Sequence, residues 1–286
     1  MDRPSAKKTL TVIVKTHNDY NVLDNCITSL QEQSYADFNI VIMDTASDDL
    51  SYVYKYSKDD QIDVLVDKRD LGFCVGNNIA TAKVIDKSQY VMYLNPDAFL
   101  QKDFLSQALD FMEQPRNSNV GILTGKLLWF DLNKDKRTNI IDSAGIFQTW
   151  YGKWYNRGMG EVDKGQYSTS PLGESVPAAC GALMVCRSNA LRSVEMKPGE
   201  YFNNSFYMYK DDIDLSFRVR NSGFDVIYQS EFIAWHCRGW QRKNRQSMPK
   251  KLRLYAAKNE IYINRQISFL KYSYSLAKLG LVKLGL

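Results

Sequence analysis

Short apolar runs alternate with polar segments of helical spacing through residues 1–125. Leu10 to Lys15 is apolar and β-branched and reads as a strand. Phe38 to Met43, Ile62 to Val66, Tyr90 to Leu94 and Val120 to Leu123 read the same way. Between them, Asn21 to Gln33 sets Val22, Leu23, Cys26, Ile27 and Leu30 on one helical face. Ser47 is placed to cap a helix running to about Ser57. Gly72 to Asn78 reads as a glycine-bearing turn before a helix to about Asp86, and Asp103 to Glu113 reads as a further helix. Strand–helix alternation implies right-handed crossovers and a mostly parallel sheet.

The rhythm breaks between Lys126 and Pro171, which is rich in Gly, Asn, Asp and aromatics. So long an irregular stretch predicts a hairpin or a lid. Its aromatic residues (Trp129, Phe130, Phe147, Trp150, Tyr151, Trp154, Tyr155) fit packing beneath the segment better than stacking on a sugar or an acyl chain. Order resumes with a strand within Val176 to Arg187 and a short helix over Ser188 to Ser193. A helix then runs from Lys210 to about Asn221 and is stopped by Gly223, and strands follow at Val226 to Tyr228 and Ile233 to His236.

From Pro249 to Leu286 the character changes. Leu252, Tyr255, Ala256, Asn259, Ile263, Ile267 and Leu270 approximate one helical face. Eight Lys and Arg residues (Lys250, Lys251, Arg253, Lys258, Arg265, Lys271, Lys278 and Lys283) stand against a single acid, Glu260. A basic amphipathic helix of this kind can lie on an anionic membrane surface.

The 286 residues, 44% hydrophobic and 24% charged, suit one large α/β domain with an appendage. A net charge of +5 fits an anionic ligand or surface and gives no argument for nucleic acid. The five cysteines (Cys26, Cys74, Cys180, Cys186, Cys237) are scattered and lack zinc spacing, which points to a reducing, cytoplasmic setting. Met1 to Thr9 lacks the apolar core of a signal peptide, and no uncharged apolar run reaches the roughly 18 residues of a membrane span.

Candidate chemistry gathers where these strands end. Thr16-His17-Asn18-Asp19 follows the first strand and Asp44-Thr45-Ala46-Ser47-Asp48 the second. Arg69-Asp70-Leu71-Gly72-Phe73, with Gly76-Asn77-Asn78, follows the third, and Asn95-Pro96-Asp97 ends the Tyr90 to Leu94 strand. In open α/β sheets, ligands bind outside the C-terminal strand ends. Asp44 can accept from a pyrimidine N3–H or from ribose hydroxyls, glycines let backbone approach a phosphate, and Asp97 can hold a divalent cation that binds a diphosphate. The pair Gly72 and Gly76 gives G-x-x-x-G after the third strand, which disfavours a dinucleotide fingerprint. Asp211-Asp212-Ile213-Asp214 sets three carboxylates at a helix start, where they favour the dipole and repel one another, so that one can serve as a general base. His236 is one of two histidines and suits a divalent metal.

Taken together, these motifs resemble a family 2 glycosyltransferase with the glycosyltransferase-A fold, over roughly residues 9–240. Thr11 to Asn18 resembles the family's first strand and nucleotide contact. Asp44-Thr45-Ala46-Ser47 resembles Asp-Asn-Ala-Ser, and Gly72-Phe73-Cys74-Val75-Gly76-Asn77-Asn78 resembles Gly-Phe-x-x-Gly-Asn-Asn. Leu94-Asn95-Pro96-Asp97 matches the variant in which Asn-Pro-Asp replaces the metal-binding Asp-x-Asp. Cys180-Gly181-Ala182-Leu183-Met184 and Tyr209-Lys210-Asp211-Asp212-Ile213-Asp214-Leu215 resemble the acceptor-side Gly-Ala strand and Glu-Asp-x-Asp-Leu, with Asp211 where Glu is commoner. Asn-Pro-Asp with a later histidine is similar to the rhamnosyltransferase-like and galactofuranosyltransferase-like members. His236-Cys237-Arg238-Gly239-Trp240 is loosely like their His-x-x-Gly-x-Ser.

The resemblance implies a mixed, mostly parallel sheet flanked by helices over residues 1–240, with a nucleotide-binding half (1–125), an acceptor-side half (126–240) and a helical extension (241–286). It implies Asp212 as the base with Asp211 beside it, and Asp97 and His236 as ligands of Mg²⁺ or Mn²⁺. Thr16, Asn18, Asp44, Arg69, Gly72, Asn77 and Asn95 would bind the donor nucleotide, a dTDP- or UDP-sugar. The expected acceptor is a surface glycan or a lipid-linked glycan. The competing expectation is a nucleotide-sugar-binding module without turnover.

Overall fold

A computed structural model describes residues 8–237 and 248–285. Met1 to Lys7, Arg238, Gly239 and Trp240, and with them the expected boundary at 240/241, lie outside the described residues.

Four parallel strands form one side of the sheet: β1 (Lys8–Thr16), β2 (Phe38–Thr45), β3 (Ile62–Asp67) and β4 (Ser88–Leu94), in the order β3-β2-β1-β4. Val12, Ile13, Val14, Ile40, Ile42, Tyr90, Val91 and Met92 are buried, as they must be in strands covered on both faces. The crossovers run through α1 (Leu23–Gln31), α2 (Ser51–Tyr54) and α3 (Gly72–Val84). Two local expectations change. The stretch from Gly72 to Asn78 is helix rather than turn, because Gly72, at φ +68°, makes the entry itself and α3 starts there. Ser47 does not cap α2; its hydroxyl is taken by the Asp44 carboxylate at 2.5 Å, and α2 is a single turn.

The chain then lays down β5 (Ala98–Leu100), α4 (Phe104–Glu113), β6 (Val120–Asp131), β7 (Lys136–Ser143), β8 (Ile146–Gln148), β9 (Trp154–Asn156) and β10 (Glu174–Ser175). It continues with β11 (Leu183–Arg187), α5 (Ser188–Ser193), α6 (Asp211–Asn221) and β12 (Asp225–His236). The sheet order is β10-β12-β6-β11-β4-β1-β2-β3, with β5 on β12 and β7 on β6. β11 is antiparallel to both β4 and β6, whereas β12 runs parallel to β6. The expected mixed, mostly parallel sheet is therefore present. The expected division at residue 125 falls inside β6, which ties the two halves into one sheet. The two short strands expected near the end are one strand, β12, with an irregularity between Gln229 and Ile233. The region expected to be a hairpin or lid holds the β6–β7 and β8–β9 hairpins.

Two helices close the chain, α7 (Lys250–Arg265) and α8 (Phe269–Lys283), with the Ser268 hydroxyl accepting from the Lys271 N–H at the turn between them. They are packed onto the sheet domain rather than forming one free amphipathic helix. Asn264 is the hub: it bonds Gln148, the Trp154 indole, the Gly152 carbonyl and Ser275. Glu260, fully buried, takes the Lys278 ammonium at 2.6 Å and the Lys210 ammonium at 3.5 Å. Among the described residues no helix is long and apolar enough to cross a membrane.

Candidate active site

The strand ends of β1, β2 and β4 open onto a common edge. Pairing of β5 with β12 sets Ala98 opposite His236, so the turn through Asn95, Pro96 and Asp97 meets the end of β12. His236 Nε2 lies 3.2 Å from Asp97 Oδ1, and Nδ1 lies 2.9 Å from Asp142 Oδ2 on β7. Asp142 is buried and was not singled out from the sequence. Burial alone would lower the His236 pKa, but the Asp97 charge and the bond to Asp142 outweigh it and raise it to about 10. Without a cation, a proton on Nε2 thus joins the imidazole to Asp97. With Nδ1–H donated to Asp142, Nε2 is the nitrogen left to face a metal, the carboxylate–histidine arrangement common behind metal ligands.

Among the described residues no three His, Cys, Asp or Glu side chains gather as a cage for an ion. A Mg²⁺-like ion does not need one, since it commonly takes one or two protein ligands and fills its remaining positions with water and substrate phosphates. Asp97 and His236 fit that pattern.

The second carboxylate cluster joins the first through two residues. The Asn95 N–H donates to the Ala182 carbonyl at 3.1 Å, and the neighbouring Gly181 N–H donates to Asp212 Oδ2 at 3.0 Å. A Cβ on Gly181 would sit 3.1 Å from that of Asp212, so glycine permits the approach. Asp212, in the first turn of α6, is partly exposed, while Asp214 is buried and paired with Arg218 at 2.9 Å. Asp211 is buried as well. Burial first, then the Asp212 charge, raise its pKa to about 8, against the pull of the helix-start N–H groups. It keeps its proton through neutral pH, which removes one like charge from beside Asp212.

The turn before α6 is strained. Tyr209 and Lys210 have φ of +68° and +67°, a region that side chains disfavour. Asn259 of α7 clamps it, donating to the carbonyls of Met208 at 3.1 Å and Tyr209 at 2.8 Å. Tyr207, in the same loop, gives its hydroxyl to Asp70 at 2.6 Å and accepts the Phe73 N–H at 2.8 Å on its carbonyl. The C-terminal hairpin, the acceptor-side loop and the third strand's loop are thereby linked.

The expected donor residues divide into two groups. Asp44 is buried, and its oxygens accept from Ser47 and the Tyr52 hydroxyl at 2.7 Å. These three bonds and its full burial hold the carboxylate beneath the loop after β2. Thr16 is buried and bonded to Asp19 and Tyr52. Asn18, at φ +56°, ties the first loop to the second through Ser47 and Asp48. Arg69 is exposed and paired with Asp67, and Asn95 is half-buried at the β4 end. Gly72 and Asn77 stand apart from this edge. The space beside Gly72 is filled by the Tyr207 carbonyl and ring rather than left for a phosphate. Asn77 is 1% exposed and bonds the Phe73 carbonyl one turn back in α3. The sequence reading missed Lys15, which Gly76 lets pass at 3.2 Å. Its ammonium pKa is lowered by burial, while Asp19, Asp70 and Asp44 oppose that shift. Nothing in the strand pattern marks it, because it sits in an apolar run.

Comparison with known proteins follows the same lines. The structure of GalNAc-T7 with UDP, GalNAc and Mn²⁺ superposes with TM-score 0.68 at 13% identity, over 92% of this chain and 48% of that one. The chain thus spans about half of that protein's resolved length. Staphylococcus aureus TarS 1–349 in complex with UDP gives TM-score 0.54 at 15% identity, over 95% of this chain and 69% of that one. The mannosyltransferase PcManGT from Pyrobaculum calidifontis, in complex with GDP-Man and Mn²⁺, gives TM-score 0.59 at 15% identity, over 96% of this chain and 73% of that one. At these identities the likeness is one of fold. No curated protein matches the chain in sequence. The family model described as glycosyl transferase family 2 matches residues 11–171, from β1 through the β8–β9 hairpin and beyond. That span holds more than half of the chain, the Asn95-Pro96-Asp97 turn and the Asp142 carboxylate, and on it the chain belongs to glycosyl transferase family 2.

Proposed function

We propose that the chain is an inverting, metal-dependent glycosyltransferase, moving a sugar from a nucleotide diphosphate donor to a hydroxyl of a surface polysaccharide or lipid-linked glycan. The observation that carries this reading is the junction at Gly181 and Ala182, which bonds the turn bearing Asp97 on one side and Asp212 on the other. A donor held at Asp97 then lies within reach of a base at Asp212. Asp212 accepts the proton of an acceptor hydroxyl as that oxygen attacks the anomeric carbon opposite the leaving diphosphate, so configuration inverts. Asp211, kept neutral by burial, spares the base a competing charge.

Asp97 and His236 would hold Mg²⁺ or Mn²⁺, with Asp142 orienting the imidazole. When bound, the metal offsets the charge that develops on the leaving diphosphate. The UDP and Mn²⁺ of the GalNAc-T7 structure and the GDP-Man and Mn²⁺ of the PcManGT structure support a donor of this class. Asp44, the carboxylate at the end of β2, suits a pyrimidine N3–H and hence UDP or dTDP, the latter consistent with L-rhamnose. Thr16, Asn18, Arg69 and Asn95 complete the donor edge, while Gly72 and Asn77 shape it from behind. The reading sets the chain in the cytoplasm, against the inner face of the membrane.

Asp212→Asn keeps the Gly181 bond but cannot take a proton. Transfer should fall by a factor of about 10²–10⁴, with donor-nucleotide affinity nearly unchanged. Transfer at the parental rate removes Asp212 as the base, whereas donor binding with no transfer by the parent chain makes a binding module without turnover the better reading.

A further inference from the structure

We infer that the outer face of α8, together with Trp150, docks the chain onto an anionic lipid surface. The inference deepens the membrane location proposed above and rests on that reading. Phe269 is 84% exposed, Leu284 78% and Trp150 78%, and Leu270, Leu276 and Leu281 are about half exposed. Positions 269, 273, 276, 277, 280, 281 and 284 follow helical spacing, so Phe269, Ser273, Leu276, Ala277, Gly280, Leu281 and Leu284 form one uncharged stripe. An ordinary surface helix turns its apolar stripe inward, and this one turns it out.

Trp150 lies beside α8, linked to its Tyr274 flank through Tyr151. The Tyr151 ring lies 5.5 Å from Trp150 and 5.1 Å from Tyr274 of α8, and a Cβ on Gly152 would come within 2.9 Å of that of Lys271. Within 249–286 the exposed charge has one sign. Lys250, Lys251, Lys258, Arg265 and Lys283 are exposed, as is Lys153 on the Trp150 hairpin. The only acid in 249–286, Glu260, is fully buried and spent on Lys278 and Lys210. An uncharged stripe of Phe and Leu, with Trp150 beside the helix and only cations exposed within 249–286, complements anionic headgroups over acyl chains. A second copy of the chain is the poorer partner, since a two-fold contact would set these cations against their own copies. The arrangement would hold the glycan-transfer edge at the membrane, because α7, which carries α8, also clamps the turn before Asp211.

The test is co-sedimentation of the full chain with vesicles of mixed phosphatidylglycerol and phosphatidylcholine, and of phosphatidylcholine alone. The chain should bind the mixed vesicles, and bind them less at high salt. Phe269→Ser with Leu284→Ser, and separately Trp150→Ser, should each weaken binding by at least about tenfold. These positions are exposed, so folding is preserved, and UDP affinity is read on the same samples. No binding to anionic vesicles overturns the membrane reading and the docking face together. Equal binding by parent and variants overturns the face alone. A dimer that the double variant loses assigns the face to a second copy. If UDP fails to bind while vesicles do, the docking face stands and the donor reading falls.

Discussion

Asp142 acts one bond away from the proposed metal. Its carboxylate holds His236 Nδ1 at 2.9 Å and so selects which nitrogen faces Asp97. Asp142→Asn keeps the shape but loses the charge, and loss of such an outer carboxylate commonly costs about 10–100-fold in metal affinity. Titration of Mn²⁺ in the presence of UDP should show that loss with UDP still bound at saturating metal; unchanged Mn²⁺ affinity would make Asp142 a fold residue only. Asp211 carries a different prediction. Its pKa is raised to about 8, so the folded chain binds this proton more tightly than the unfolded chain, where the value is about 3.9. The stability this contributes is complete below pH ~4 and is lost as pH rises toward 8. Asp211→Asn removes the titration. The melting temperature of that variant relative to the parent should therefore climb between pH 5 and pH 8. A pH-independent difference would show that Asp211 is ionised in the folded chain.

At the scale of elements, α7 is part of the site's support. The turn at Tyr209 and Lys210 costs on the order of 1–3 kcal/mol for each residue held at positive φ. Asn259 is the side chain that bonds the Met208 and Tyr209 carbonyls of this turn. Asn259→Ala should lower kcat by about tenfold while leaving nucleotide affinity nearly alone, because the turn leads directly into Asp212 while Tyr207 keeps its own bonds to Asp70 and Phe73. A fall in nucleotide affinity and kcat together would mean that α7 supports the whole domain. The elements also show where the sequence was legible. Strands β1, β2 and β4 announce themselves as apolar runs ended by polar or Pro residues, and the position of Asp97 follows from that. Asp142 does not, since β7 is an irregular edge strand whose partner comes from earlier in the chain. Gly72 and Asn77 look like ligand residues in the one-dimensional motif. Gly72 is fixed by Tyr207, which lies more than a hundred residues away in sequence and is invisible to local patterns, and Asn77 is spent on the Phe73 carbonyl of its own helix. The eight cations of the last stretch suggested a basic face, but Lys278 turns inward to a buried acid that no periodicity reveals.

On the scale of the whole molecule, one sheet brings together residues from five separate segments. Asp44 comes from β2, Asp97 from the β4 end, Asp142 from β7, Asp212 from α6 and His236 from β12. The parallel block from β3 to β4 forms the proposed donor edge, and the antiparallel insertion of β11 next to β4 brings Gly181 and Ala182, and with them Asp212, to the same edge. The account's central claim is that this edge binds a pyrimidine nucleoside diphosphate through a divalent cation held by Asp97. Titration calorimetry of UDP, dTDP and GDP against the full chain, with Mn²⁺ present and then chelated, tests it directly. The account predicts that UDP or dTDP binds with Mn²⁺, that chelation weakens this binding by at least about tenfold, and that Asp97→Ala does the same with Mn²⁺ present. Binding of none of the three, or binding indifferent to both metal and Asp97, would contradict it.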